Sequence, residues 1–129
     1  PIGKLRRAPA RADVLMLALP QNDETRGLIG DQELAAMPPG GILVNVSRGG
    51  LVDHDALRHA LASGHLAGAG LDVFWTEPFP ATDPLFDERV TVTPHLGGVT
   101  VESYRDISRG VVENIERLRR GEPIINRVA

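Results

Sequence analysis

Residues 13–20 read DVLMLALP, an acidic residue, six apolar ones and a closing proline. A continuous apolar run of this length, bounded by turn formers, reads as a strand buried on both faces, the kind that parallel sheets use. The QNDETRG that follows is loop. Working outward, three more runs have the same character: ILVNV at 42–46, HLAGAGLDVF at 65–74 and RVTVTP at 89–94. Between them the pattern turns helical. Asp31 offers an N-cap to a short helix stopped by Pro38 and Pro39. Asp53 caps a helix whose Ala56, Leu57, Ala60 and Leu61 recur at helical spacing, and Gly64 stands where it should stop. From Thr100 the sequence VESYRDISRGVVENIERLRRG predicts a helix of about five turns ending at Gly121, with Gly110 as its weak point. Strands alternating with helices imply right-handed crossovers and a doubly wound α/β fold on a mostly parallel sheet.

Composition narrows the function. The 129 residues correspond to one domain, or part of one. There are no cysteines, which excludes a disulfide framework or thiolate metal site and fits a cytoplasmic, reducing setting. The net charge is -3, with the arginines scattered among 17 acids, so no footprint for nucleic acid emerges. No apolar run reaches the roughly 20 residues of a membrane span, and PIGKLRRAPARAD lacks the apolar centre of a signal peptide. His54 and His59 are not at metal-ligand spacing on a common face, and His54, His59 and His65 read as solvated residues. GAGLDV at 68–73 lacks a third glycine and enters a strand instead of leaving one, so it is not a dinucleotide fingerprint.

Ligands of this fold class gather at the carboxyl ends of the strands. Three such ends carry chemistry: Arg48 after ILVNVS, Asp72 at the close of GLDV, and His95 in VTPHLGG. Arg48 offers a planar fork to a carboxylate or carbonyl, and the two glycines after it let its backbone approach a ligand. Alone it reads more readily as a surface ion pair. An imidazole titrates near neutrality, so His95 could give or take a proton, or simply bond to backbone. Glu77, in WTEP, could stabilise the His95 imidazolium and fix its orientation, or be an ordinary turn glutamate. Asp72 sits in an apolar strand and needs a partner, either a ligand or a neighbouring loop.

Taken together, ADVLMLALPQNDETRGLIG, NVSRGGLVD, GLDVFWTEP and VTPHLGG resemble, in order and spacing, the nucleotide-binding domain of the D-isomer-specific 2-hydroxyacid dehydrogenases. The resemblance runs from about Arg11 to the terminal EPIINRVA. It implies a Rossmann-like domain, NAD or NADP as cofactor, a 2-hydroxy or 2-keto acid substrate and a homodimer. Catalytic roles then fall on Arg48, Glu77 and His95. Asp72 matches the aspartate that contacts the nicotinamide carboxamide, and Leu19, Pro20, Val46, Ser47 and Gly98 match positions lining the cofactor.

Two departures carry expectations. Ala18 stands where many members have a histidine. The family's first βαβ unit with its glycine-rich turn precedes everything matched here, and residues 1–10 cannot supply it. On this reading residues 1–99 are the C-terminal part of the nucleotide-binding domain and 100–129 a terminal crossover helix and tail. The helix over 100–119 should expose an apolar stripe unless a partner covers it. Two rival readings remain: a non-catalytic dinucleotide-sensing or assembly module, and an inactive truncated remnant.

Overall fold

Four strands run in one direction and in sequence order across a single sheet, β1 (Val14–Leu17), β2 (Gly41–Asn45), β3 (Leu66–Leu71) and β4 (Val90–Val92). The computed structural model describes residues 8–127. The readings placed on the first seven residues, including the missing glycine-rich turn, fall outside them. β1, β3 and β4 lie within their expected runs but are shorter, because the turns consume the polar and proline ends, whereas β2 keeps the expected five residues and begins one residue early, at Gly41.

The connections are helical where the caps foretold. α1 (Asp31–Ala36) joins β1 to β2, and α2 (His54–Ala62) joins β2 to β3. Asp53 caps α2 by accepting the Ala56 N–H at 2.9 Å, and Gly64 follows the helix at φ 74°, a conformation that suits glycine. The cap of α1 is corrected: Gly30 takes that position, and Glu33 Oε2 accepts the Gly30 N–H at 3.2 Å. Asp31 instead begins the helix, where a negative charge suits the dipole.

One face of the sheet packs on these helices. Leu17, Leu43, Leu66 and Leu71 point into a core shared with Leu34 and Leu57. The opposite face corrects the expectation of a first strand buried on both sides. Val14 and Met16 are more than half exposed, and Ile42, beside Val14 in register, is 39% exposed. An apolar run records that a strand can be covered twice, whereas covering it requires elements that residues 8–97 do not provide on that side.

The described residues divide into two compact units, the first ending at Gly97 and the second beginning at Gly98. The second is built on α3 (Val101–Arg119), uninterrupted through Gly110. Thr100 and Ser103 cap it reciprocally, at 3.0 and 3.1 Å. The tail folds back, Asn114 exchanging two hydrogen bonds with the Ile125 backbone. No residue of α3 is buried, and Tyr104, Ile107, Val111, Ile115 and Leu118 expose more than half their surface along one stripe, as the sequence predicted.

Candidate functional site

Asn45 starts the site. It is 1% exposed at the end of β2, and a buried amide must be bonded. Its Nδ2 donates to the Arg48 carbonyl at 2.9 Å and its Oδ1 accepts the Ser47 N–H at 3.1 Å, so the strand ends in a side-chain-built turn. The Ser47 hydroxyl donates to the Leu19 carbonyl, joining the ends of β1 and β2. Arg48 emerges from this turn with its Nη1 donating to the Ser47 carbonyl at 2.7 Å.

The glycine after Arg48 does something the sequence did not disclose. A Cβ on Gly49 would stand 2.1 Å from the Phe74 carbonyl carbon and 2.5 Å from the Trp75 nitrogen. The close approach is therefore to the backbone of the loop that carries Glu77, rather than to a ligand. Trp75 secures the same loop from another side, its indole N–H donating to the Val52 carbonyl at 2.6 Å.

Glu77 Oε1 accepts the Phe74 N–H at 3.1 Å, and its Oε2 lies 2.8 Å from His95 Nδ1. The two side chains are about equally exposed, 41% and 42%. The hydrogen bond from His95 first, then the Phe74 N–H and the charges of His95 and Arg48, hold the Glu77 carboxyl below its ordinary value. With Nδ1 engaged, Nε2 is the ring nitrogen left for another partner. The His95 backbone has φ 56°, an αL conformation that histidine adopts more readily than most residues.

Asp72 holds the loop on which His95 sits. Its Oδ1 accepts from the Thr93 hydroxyl at 2.5 Å and the Leu96 N–H at 2.8 Å, and its Oδ2 from the Gly97 N–H at 2.7 Å. Burial of Asp72 raises its pKa, but these three bonds outweigh it and the net direction is downward from 3.8. A depressed carboxylate contributes stability that is present above pH 3.8 and is lost as pH falls below it. Asp72→Asn should therefore flatten the acid limb of stability, followed by denaturant unfolding as the pH is lowered through 4. At neutral pH it should cost about 1–3 kcal/mol, since an amide NH₂ would face a backbone N–H. An acid limb identical to that of the unmodified chain would refute the assignment.

Arg48, Glu77 and His95 thus line one cleft of about 380 Å³, which Gln21 and Arg26 also line. A second hollow of about 450 Å³ reaches His95 from the aromatic side, formed by Phe74, Phe79 and Phe86. Among the cofactor candidates, Leu19, Pro20, Val46 and Ser47 share the ends of β1 and β2, and Val46 is 38% exposed. Gly98 belongs to the second unit, with open space where a Cβ would stand. His54 is not solvated: its ring lies edge-on to Trp75 and 3.0 Å from Asp83 Oδ1. Among the described residues no cluster of His and acidic side chains could hold a metal.

Residues 2–97 match the family model for the NAD binding domain of D-isomer specific 2-hydroxyacid dehydrogenases. The chain belongs to that family. Its sheet and helices superpose on a family dehydrogenase from Xanthobacter autotrophicus Py2, solved with NADPH and MES, with a TM-score of 0.86 and 42% identity. That match covers 98% of this chain and 52% of the solved one. Curated relatives include glyoxylate/hydroxypyruvate reductase B from Pectobacterium carotovorum, 45% identical over 114 residues. D-3-phosphoglycerate dehydrogenase from Mycobacterium leprae is 50% identical over 115. Each alignment takes in 88% of this 2-hydroxyacid dehydrogenase family chain, but 36% and 21% of the relatives' lengths. The Rossmann-like fold and the NAD or NADP cofactor class expected from the sequence agree with these matches.

Four features of the site escaped the sequence reading. Asn45 was the most accessible, being a lone amide in an apolar strand. Trp75 and Arg26 carry no signal that separates them from ordinary loop residues, and Gly49 was read as approaching a ligand when it approaches the Phe74–Trp75 backbone.

Proposed function

We propose that this chain supplies the cofactor side and the acid–base pair of an oxidoreductase that interconverts 2-hydroxy and 2-keto acids. The observation that carries the reading is the Glu77–His95 pair at 2.8 Å in one cleft with Arg48.

The residues fit a nicotinamide. Leu19 and the exposed Val46 give apolar surface at adjoining strand ends, and the Ser47 bond to Leu19 holds those ends together. Asp72 retains acceptor capacity beyond its three bonds for a carboxamide. When bound, the cofactor supplies the hydride that reaches C2 of the keto acid, or takes it from the hydroxy acid. Arg48 binds the substrate carboxylate as a fork and draws charge toward the carbonyl oxygen. His95 Nε2 donates the proton that the nascent alkoxide needs, and removes it in the reverse direction. Glu77 fixes the ring through Nδ1 and balances the imidazolium charge between turnovers.

On the same reading residues 1–99 are the C-terminal part of the nucleotide-binding domain and 100–129 the crossover helix and tail of a cytoplasmic homodimer. The absence of cysteine supports the cytoplasm. Among the described residues no helix is long and apolar enough to cross a membrane. The test is oxidation of NADH or NADPH by the natural full-length protein across a panel of 2-keto acids. Turnover of at least one of them is expected, and oxidation with none would overturn the reading.

A further inference from the structure

Two guanidinium groups line the catalytic cleft, and the mechanism above employs one. Arg26 shares the roughly 380 Å³ space with Arg48, Glu77 and His95. Its side chain makes no hydrogen bond or ion pair with any described residue, and Asp23 and Glu24, exposed on the same turn, do not engage it.

The turn that carries Arg26 is rigidly built. Thr25 is 8% exposed, and its hydroxyl donates to the Pro20 carbonyl at 2.9 Å. Asn22 Oδ1 accepts the Glu24 and Thr25 N–H groups, each at 3.0 Å. Gly27, at φ 60°, donates its N–H to the Gly50 carbonyl at 2.8 Å, which ties the turn to the loop following Arg48. Gln21 lies over Gly50 from the same side, its Oε1 2.5 Å from where a Cβ would stand. Arg26 is thus presented to the cleft by a fixed support.

Charge balance then indicates the ligand. Among the described residues the only carboxylate lining the cleft is Glu77, already paired with His95. A substrate carboxylate neutralises Arg48, and one cationic fork is left over. From this we infer that Arg26, assisted by the Gln21 amide, forms a distal anion subsite, so that the preferred substrate is a 2-keto or 2-hydroxy acid bearing a second carboxylate or a phosphate. The inference rests on the dehydrogenase reading for what occupies Arg48. The subsite itself stands on the geometry of the turn and the unpaired guanidinium. A fork of this kind binds carboxylate and phosphate alike.

The test compares 2-oxoglutarate with its monoanionic isostere, in which an isopropyl group replaces the distal carboxylate, using the natural full-length protein and its Arg26→Ala and Arg26→Lys variants. The ratio of kcat/KM for the dianion over the isostere should fall about 10- to 100-fold in Arg26→Ala, the range of a charge-assisted hydrogen bond. Arg26→Lys should recover part of it by restoring the charge without the fork. Calorimetric binding of 2-oxoglutarate runs alongside as a measure independent of turnover. A ratio unmoved by either variant would overturn the subsite and leave the dehydrogenase reading standing. Arg26-dependent binding of the dianion without turnover of any keto acid would support the subsite and sink the dehydrogenase reading. Neither binding nor turnover would sink both.

Discussion

Replacing His95 with asparagine should lower kcat for 2-keto acid reduction about 100- to 10,000-fold, the usual contribution of a positioned general acid. Asparagine is the informative substitution because residue 95 has φ 56°. That αL conformation is one asparagine also adopts readily, so the loop held by Asp72 keeps its shape. Alanine would add backbone strain at the same position and mix a folding effect into the kinetics. The amide can still meet Glu77 but cannot deliver a proton at neutral pH, so the loss falls on the chemical step. Steady-state kinetics of the natural full-length protein, beside a thermal melt showing the variant folded, provide the check. A folded His95→Asn protein with undiminished kcat would contradict the role given to this imidazole.

A methyl group added at Gly49 should have the largest effect on the fold itself. The new Cβ would stand 2.1 Å from the Phe74 carbonyl carbon and 2.2 Å from its oxygen. These are backbone atoms, so no rotamer change can relieve the overlap, and one of the two loops has to move. Overpacking commonly costs about 1–3 kcal/mol, and a clash against main chain belongs at the upper end, about 3 kcal/mol. Gly50→Ala makes a fair comparison, since its Cβ meets only the end of the Gln21 side chain, which can swing aside. The urea midpoint of Gly49→Ala should fall well below that of Gly50→Ala, and turnover should fall with it as Arg48 and Glu77 move apart. Equal midpoints for the two variants would show that the loops do not meet as closely as described.

How much of this could be read beforehand depends on the range of the interaction. Strand positions were legible because LMLAL, ILVNV and VTV are apolar runs cut by turn formers. The Asp53 cap was legible because capping is settled within three residues of chain. The meeting of Arg48, Glu77 and His95 followed from topology, which sends successive strand ends to one edge. What stayed hidden acts across longer separations or through backbone atoms. Nothing in GLDVF discloses that Asp72 accepts N–H groups 24 and 25 residues later. His54 read as solvated because its partners, Asp83 and Trp75, belong to a loop more than 20 residues away. The two-sided burial expected of β1 failed for another reason: side-chain character records the environment a strand suits, while the cover itself comes from other segments.

The uncovered side of the sheet governs how this polypeptide behaves as a solute. β1 is an outermost strand with no charged residue between Val14 and Leu17, and its outer edge is unpaired among the described strands. Val14, Met16 and Ile42 extend the same surface across two strands. Natural edge strands discourage templating with charge, proline or a bulge, and this one has none of them within its span. Handled by itself, the chain offers this edge, with Val14, Met16 and Ile42 beside it, as a template on which another strand can pair.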